Sequence, residues 1–268
     1  MAQEMRSPIE SGCPDGFQYM HPTMRRNYGL WSHHDHPRPG VLVHYAHSGD
    51  EIWTVKCGTQ RILDVYTLRT LCDIGDKFAD GYIHFTIRSN VEYVVDSEDK
   101  VQPLIDAIEE AGFIVGGTAN SVATLSHTQG WLHCDIPGTD ASGVVKSMMD
   151  ELITEFKECN MPNRVHITTS CCQINCGGQG DIAINVQHTK PPRIDHTQVG
   201  NVCERPSVVA RCPGVLVHYA NSGDEIWTVK CGTQRILDVY TLRTLCDIGD
   251  KFADGYIHFT IRSNVEYV

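Results

Sequence analysis

The sequence predicts an α/β (α+β) fold that combines a ferredoxin-like split βαβ unit, a second α/β domain and a truncated duplicate of the first unit. Two observations support this prediction. The apolar residues of segment 51–115 follow strand and helix periodicities in the order β-α-β-β-α-β. Segment 39–94 recurs as 213–268, with His47 against Asn221 as the single difference.

The elements of the split βαβ unit are predicted from periodicity and from turn and capping residues. In chain order they are strand 51–56, helix 67–79, strands 82–87 and 91–95, helix 98–111 and strand 113–115. Gly81 and Gly112 end the two helices, and Ser97 can cap the second one. This order defines a complete split unit in the first copy of the repeat.

The repeat has a period far longer than the roughly 20 to 50 residues of solenoid proteins, and it has only two copies. An old duplication would have diverged further, so the near identity indicates a recent recombination or a sequence assembly error. The second copy stops at Val268, before the second helix and the last strand. We therefore expect it to lie outside the main core as a poorly packed fragment, with Leu242, Leu245 and Phe252 partly exposed or packed against a nearby surface. The alternative is a swap in which the second copy displaces residues 39–94.

The region between the copies predicts a helix and two strands. Asp140 can cap a helix that runs to about Glu158, and strands are predicted at 164–169 and 181–187. The apolar stripe of the helix is predicted to be buried core, and its members are Val144, Val145, Met148, Met149, Leu152, Ile153 and Phe156. The two strands enclose a loop rich in cysteine and glycine.

Composition narrows the class of function. The net charge of −11 and the pI near 5.6 argue against nucleic acid or an anionic membrane as the main partner. The longest uncharged stretch, 113–134, is too polar for a membrane span, and the first thirty residues lack the apolar core of a signal peptide. We expect a cytoplasmic protein whose twelve cysteines are thiols or metal ligands.

The cysteine-rich loop, TTSCCQINCGGQGD, places Cys171, Cys172 and Cys176 directly after a predicted strand. Structural zinc sites usually have two C-x₂₋₄-C pairs, which an adjacent cysteine pair does not match. The glycines that follow allow backbone amides to approach sulfur or a flat macrocycle. From spacing alone, a metal cluster and a set of buried inert thiols both remain open, with a structural zinc site as a third alternative.

Three longer stretches resemble the beta subunits of dissimilatory sulfite reductases. They are GGTANSVATLSHTQGWLHCDIPGTDASG, TTSCCQINCGGQGDIAINVQHTKPPRIDH and VCERPSVVARCP. The resemblance extends over about residues 1 to 212. The opening, MAQEMRSPIESGCPDGFQYMHP, resembles the oxidative, reverse-acting branch found in sulfur-oxidising bacteria.

The resemblance implies a siroheme coupled to a [4Fe–4S] cluster. The cluster ligands it implies are Cys134, Cys171, Cys172 and Cys176. Cys176 is implied to bridge to the siroheme iron as its axial ligand. Sulfite reductases outside this branch often have a second cysteine six residues after the first, where this chain has Asp140.

The resemblance also implies cationic residues around the siroheme, whose eight carboxylates require hydrogen-bond donors. Arg88, in the motif Thr86-Ile87-Arg88, is the main candidate for both carboxylate contact and catalysis, and the other candidates are Lys56, His84, His133, Lys190 and Arg193. His84 stands where relatives commonly carry arginine. For all of these except Arg88, an ordinary solvated basic residue is the alternative.

The resemblance divides the chain into four parts. They are an N-terminal arm 1–38, a ferredoxin-like half-domain 39–116, a siroheme and [4Fe–4S] domain 117–212, and the truncated repeat 213–268. In the family, the cysteine of ARCP precedes an inserted ferredoxin domain with a second cluster. Here Cys212 is followed by the repeat instead, so we expect it to be an orphan ligand and expect no second cluster.

The function implied is that of an oxidoreductase subunit for the six-electron interconversion of sulfite and sulfide-level sulfur. The implied partners are an alpha subunit in an alpha2beta2 assembly and a small sulfur-carrier protein with C-terminal cysteines. The alternative is a non-catalytic iron–sulfur or siroheme-binding fragment that lacks the electron-entry domain. The sequence leaves the direction of the reaction open.

Overall fold

The structure is a computed structural model, and its described residues are 16–59, 62–86, 90–134, 137–178, 180–186, 215–219, 222–232, 236–259 and 264–268. Four of the residues singled out from the sequence lie outside this set, namely Arg88, Lys190, Arg193 and Cys212. No helix among the described residues is long and apolar enough to span a bilayer.

The described residues form both helices and strands. The helices are α1 Pro22–Arg26, α2 Val65–Phe78, α3 Val101–Glu110, α4 Ala141–Glu151, α5 Ile153–Lys157 and α6 Val239–Phe252, with 3-10 turns at Gly16–Tyr19, Glu98–Lys100 and Gly130–Leu132. The strands are β1 Trp31–Arg38, β2 Val41–Ala46, β3 Glu51–Gly58, β4 Ile62–Asp64, β5 Tyr82–Phe85, β6 Val91–Val95, β7 Ile114–Val115, β8 Val122–His127, β9 Val165–Ser170, β10 Ile182–Asn185, β11 Val215–Tyr219, β12 Glu225–Gly232, β13 Ile236–Asp238, β14 Tyr256–Phe259 and β15 Asn264–Tyr267.

The first copy forms the predicted split βαβ unit. Strands β7, β3, β6 and β5 pair in that order, and the β1–β2 hairpin extends the same antiparallel sheet. Helix α2 starts at Val65 because the carboxylate of Asp64 accepts a hydrogen bond from the backbone N–H of Thr67 at 2.7 Å. The predicted second helix begins as a 3-10 turn and becomes α-helical at Val101. The predicted ferredoxin-like fold is therefore confirmed.

The two copies of the repeat exchange a strand. Strand β13 of the second copy pairs with β5 of the first, and β4 of the first copy pairs with β14 of the second. The second copy consequently forms a five-stranded sheet in the order β11-β12-β15-β14-β4. Helix α6 packs against α2, which has the same sequence.

The exchange corrects the expectation that the second copy lies outside the core. Leu242 and Leu245 are buried in one apolar cluster with residues of the first copy, whereas Phe252 is 74% exposed as predicted. The physical reason is that the second copy lacks its own second helix but covers its apolar helix face with α2. The contact with a helix of identical sequence buries this face, although the strand face that the missing helix would cover stays exposed at Trp227 and Val229.

The second domain contains the three-stranded parallel sheet β10-β9-β8 and helices α4 and α5. The single helix predicted from Asp140 is interrupted at Leu152, where α4 ends and α5 follows. The predicted buried stripe is also corrected, because Phe156 is its one fully buried member and the other members are half-buried.

Phe156 fixes the second domain against the first. A Cβ atom built on Gly58, Gly116 or Gly117 would approach the ring of Phe156 to 2.8, 2.9 or 2.7 Å respectively. The backbone N–H of Gly117 also donates a hydrogen bond to the carbonyl oxygen of Phe156 at 2.8 Å. Glycine is required at these three positions because any side chain would displace the ring.

Candidate metal centre

Two loops carry the predicted cysteine ligands, and both begin at the same edge of the parallel sheet. Strands β8 and β9 run parallel with His127 opposite Thr169, so the loops after them leave the sheet side by side. The backbone N–H of Thr128 donates to the carbonyl oxygen of Thr169 at 3.1 Å. The carboxyl edge of a parallel sheet is where α/β proteins commonly bind ligands.

Two further hydrogen bonds tie the loops together. The backbone N–H of Cys171 donates to the hydroxyl oxygen of Thr128 at 2.9 Å, and the backbone N–H of Gly138 donates to the carbonyl oxygen of Cys171 at 2.7 Å. Because these bonds join residues far apart in sequence, the loop with Cys134 and the loop with Cys171 are positioned as one unit.

The four predicted ligands differ in exposure. Cys171 and Cys172 are buried, Cys134 is half-buried and Cys176 is exposed. The backbone N–H of Cys134 donates to the carbonyl oxygen of Gly130 at 3.1 Å, which fixes this residue at the end of a 3-10 turn. The site therefore has an enclosed part and an open part, and Cys176 lies on the open part.

The turn around Cys176 contains residues with a left-handed backbone conformation on either side of the cysteine. Asn175 has φ 53° and Gly178 has φ 77°. The backbone N–H of Gly178 donates to the carbonyl oxygen of Asn175 at 3.1 Å, and the hydroxyl of Ser170 donates to the side-chain oxygen of Asn175. Asparagine suits the first position because its short polar side chain tolerates the left-handed region.

The Cys172 thiol is held in its neutral form. Burial is the main cause that raises its pKa; the backbone N–H of Ile174 lowers the pKa in part, and the neighbouring thiols of Cys171 and Cys176 add smaller increases. A thiol in this environment loses its proton when a metal supplies the compensating charge. The loop is thus suited to binding a metal that displaces protons.

Distances between potential ligand atoms distinguish a zinc site from an iron–sulfur cluster. Among the described residues, the three potential ligand groups that come within 4.8 Å of one another are those of His21, Asp80 and Asp96, not the cysteines. Lys100 already binds both of these carboxylates, at 2.8 Å each. Four thiolates on one zinc ion lie about 3.8 Å apart, and those on a cubane cluster lie about 6–7 Å apart. No three cysteine sulfur atoms among the described residues lie within 4.8 Å of one another, so these cysteines do not have the spacing of a zinc site.

Lys56 and His133 were predicted as catalytic residues. The Lys56 side chain is buried and its Nζ donates to the carbonyl oxygen of Gly117 at 2.8 Å, so it also joins the two domains. His133 caps the 3-10 turn that leads to Cys134. Its ring stacks on that of His258 with centroids 6.2 Å apart and planes 9° apart.

His258 is the residue near the cysteine loops that the sequence reasoning missed. It belongs to the second copy, which was expected to lie away from the core. The sequence did point to His258, because it is the repeat counterpart of His84, which was predicted to contact the cofactor. His84 lies on β5, opposite Glu92 on one side and Ile236 of the exchanged strand on the other.

The chain is similar to known proteins in sequence. A family model described as the nitrite/sulfite reductase ferredoxin-like half domain matches it twice, at residues 44–111 and 218–268. The second match lies within the second copy of the repeat, and the first covers most of the first copy and continues to residue 111. The chain thus carries one recognisable half-domain in each copy.

Three curated relatives are named "Sulfite reductase, dissimilatory-type subunit beta". The protein of Archaeoglobus fulgidus is 44% identical over 211 residues, which cover 75% of this chain and 58% of the relative. The protein of Megalodesulfovibrio gigas is 38% identical, with 81% and 86% covered, and that of Nitratidesulfovibrio vulgaris is 36% identical, with 90% and 67% covered. The match thus spans little more than half of the Archaeoglobus relative and most of the Megalodesulfovibrio relative.

Two solved structures share the fold. The Mycobacterium tuberculosis NirA protein superimposes with a TM-score of 0.60 at 12% identity, covering 81% of this chain and 54% of that one. Dissimilatory sulfite reductase I superimposes with a TM-score of 0.59 at 15% identity, covering 80% and 59%. At these identities the similarity concerns the fold alone.

Proposed function

The chain belongs to the family of dissimilatory-type sulfite reductase beta subunits, and on this premise we propose that it takes part in the six-electron interconversion of sulfite and sulfide-level sulfur. The observation that carries the proposal is the pair of hydrogen-bonded cysteine loops at the carboxyl edge of the parallel sheet. A redox site of this kind requires four thiolates to be held as one unit.

The residues present suit a [4Fe–4S] cluster. Cys134, Cys171, Cys172 and Cys176 supply four thiolates, and two of these, Cys171 and Cys172, are buried. The Thr169 hydroxyl is buried at the root of the loop and has no hydrogen-bond partner among the described residues. It can donate to a cluster sulfur, and such hydrogen bonds tune reduction potentials.

Cys176 is the proposed bridge to siroheme. It is the exposed member of the four, so its sulfur can face a second group while the other three hold the cluster. Siroheme, when bound, supplies an iron that binds the sulfur atom of the substrate and passes electrons to it. The chain contributes the thiolate and the loop geometry that position this iron.

The siroheme carboxylates require cationic partners. We propose Arg88, Lys190 and Arg193 for this role, together with His84, which is half-buried on β5. Lys56 and His133 are proposed to act near the substrate oxygens, although Lys56 is also engaged with the carbonyl oxygen of Gly117. Charge-assisted hydrogen bonds from such groups stabilise developing oxyanion charge.

The three relatives are named as beta subunits, which supports an assembly with other subunits. We propose an alpha subunit as partner, in an alpha2beta2 complex, and a small sulfur-carrier protein with C-terminal cysteines as the acceptor or donor of sulfur. All three relatives are named as sulfite reductases, so they do not favour the alternative of a non-catalytic binding fragment.

The test compares cysteine variants of the full chain after anaerobic reconstitution with iron, sulfide and siroheme. We expect Cys134→Ser, Cys171→Ser, Cys172→Ser and Cys176→Ser each to lose most of the cluster absorption, with a fall of about four iron atoms per chain. Cys176→Ser should also lose the visible bands of siroheme. Iron analysis and visible absorption measure both effects.

Cys159→Ser is the matched control. Cys159 is half-buried in the same domain, and its thiol donates to the carbonyl oxygen of Thr118 at 3.4 Å, a bond that serine can keep. It should retain iron and absorption at wild-type levels. Equal iron loss in this control and in Cys134→Ser, or full iron retention in all four variants, would show the ligand assignment to be wrong.

A further inference from the structure

The hairpin of β1 and β2 forms the outer edge of the seven-stranded sheet and carries a group of histidines. Strand β1 contains His33, His34 and His36, and strand β2 contains His44. Among the described residues, β1 is the last strand of this sheet and pairs with β2 alone. The cysteine loops follow strands of a different sheet, so these histidines are a second, separate group of potential metal ligands.

The pairing register places three of these histidines on one face of the hairpin. His34 lies directly opposite His44 in the antiparallel pair. Side chains at positions i and i+2 of a strand point to the same side, so His36 shares the face of His34. A register shift between residues 35 and 38 falls at His36, and irregularities of this kind commonly change the direction of a side chain. The backbone thus directs three imidazoles to one side of the sheet edge.

The rings of these three histidines lie close together. The centroid of the His34 ring is 5.3 Å from that of His36 and 5.8 Å from that of His44. A zinc ion that binds two imidazoles tetrahedrally holds their ring centroids about 5 Å apart, because each Zn–N bond is roughly 2.0–2.1 Å long and the nitrogen lies about 1 Å from the ring centre. The separation of His34 from both neighbours is therefore close to that of imidazoles that share an ion.

Two of the rings are in the form that binds a metal. Burial is the main cause that lowers the pKa of both His36 and His44, and the nearby His34 ring lowers both further, with a smaller lowering of His36 by Arg164. These imidazoles are therefore neutral at neutral pH, and a neutral imidazole is the metal ligand. The Nδ1 atom of His36 is buried and has no hydrogen-bond partner among the described residues, so a lone pair or a proton is left unused there.

The group is open to solvent on one side. His34 is exposed, whereas His36 and His44 are half-buried, so an ion can enter from the side of His34. The nitrogen atoms of the three rings are not all within 4.8 Å of one another. The rings consequently rotate about their side-chain bonds as an ion binds, and the exposed ring of His34 has the space to do so.

We propose that His34, His36 and His44 form a binding site for a divalent metal ion that prefers imidazole ligands, such as Zn²⁺. Three imidazoles are a known ligand set of open zinc sites, in which water or another small ligand takes the fourth position. The exposed side of His34 leaves that position accessible. The bound ion links β1 to β2 and so fastens the edge strand of the sheet. The site is independent of the cofactors in the proposed function.

The test measures zinc binding by the full chain and its variants. We expect equilibrium dialysis at neutral pH to show one zinc ion fewer per chain in His34→Ala than in the wild-type chain. Zinc bound by thiols is common to both proteins and cancels in the difference. Loss of one imidazole should weaken the affinity of the site at least about 10- to 100-fold, which is the loss that removal of an outer-shell partner causes. Because His34 is exposed, the variant should fold, and circular dichroism verifies this.

His33→Ala is the matched control. His33 is adjacent in sequence and also exposed, but it lies on the other side of the strand, where its ring stacks on that of Tyr45 with centroids 4.7 Å apart. This variant should bind as much zinc as the wild-type chain. His44→Gln tests the facing strand and should lose the same zinc ion as His34→Ala.

Nuclear magnetic resonance identifies the ligands directly. In long-range ¹H–¹⁵N spectra of the histidine rings, the signals of His34, His36 and His44 should shift together as zinc is added, while that of His33 stays in place. Equal zinc binding by the wild-type chain and His34→Ala, an equal loss in His33→Ala, or zinc binding that leaves these three signals unchanged would overturn the proposal.

Discussion

The two copies of the repeat have nearly the same sequence but differ in what surrounds them. Trp53 is 6% exposed and its counterpart Trp227 is 56% exposed, while Val55 and Val229 are 0% and 47% exposed. These side chains lie on β3 and β12, and α3 covers only the first of these strands. Burial at these positions is therefore set by the following segment of the chain and not by the residues themselves.

The contact between helices α2 and α6 of the two copies shows the opposite behaviour. Leu68 and Leu242 are both completely buried, and so are Cys72 and Cys246. At this face each copy supplies the environment of the other, so equivalent residues have equivalent surroundings. Burial on the strands β3 and β12 thus depends on the segment that follows each copy, whereas burial on the helices α2 and α6 depends on the other copy.

The largest expected effect is at the tryptophan pair. Trp53→Ala should reduce the free energy of unfolding by about 3–5 kcal/mol, because a buried aromatic ring leaves a cavity between β3 and α3. Trp227→Ala should cost about 1 kcal/mol or less, because its ring is largely solvated. Urea denaturation of the two variants measures both values, and equal losses would contradict the comparison.

The leucine pair should behave alike. Leu68→Ala and Leu242→Ala should each reduce the free energy of unfolding by about 2–5 kcal/mol, because both remove a fully buried side chain from the shared core. The same denaturation experiment applies, with the two values expected to agree within about 1 kcal/mol. A negligible effect of Leu242→Ala would mean that the second copy does not belong to the core in solution.

The smallest expected effect is at the arginine pair. Arg69→Ala and Arg243→Ala should each cost about 0.2–1 kcal/mol, because both side chains are about one third exposed and their ion pairs are solvated. The loss should be greatest at low ionic strength and should disappear in about 1 M salt. Thermal unfolding at two salt concentrations provides the measurement, and a loss at one arginine alone would contradict the symmetry.

The sequence predicted the order of the elements well because that order depends on local patterns. The periodicity of 67–79 predicts α2 to within two residues at its start. The break at Leu152 was missed because α4 and α5 carry one continuous apolar pattern. The partner of each exchanged strand could not be predicted, because Ile62–Asp64 and Ile236–Asp238 are identical in sequence.

The cysteines of the candidate site were identified from the sequence, whereas His258 was not. The adjacent pair Cys171 and Cys172 drew attention by spacing, and the resemblance added Cys134 across 36 intervening residues. The parallel pairing of β8 and β9 now explains why the two loops lie side by side. The sequence indicated His258 only as the repeat counterpart of His84, and its contact with His133 emerged from the structure.

The strand exchange also bears on how the chain folds. Because β4 and β13 are identical, each can form the same cross-strand pairs with Tyr82–Phe85 or with Tyr256–Phe259. Local pairing free energy therefore cannot select between the exchanged and the unexchanged connection. Selection falls to the entropy of the connecting loops and to the order in which the segments emerge during synthesis, when Ile62–Asp64 meets Tyr82–Phe85 before the second copy exists. We expect the unexchanged pairing to form first and the exchanged pairing to replace it.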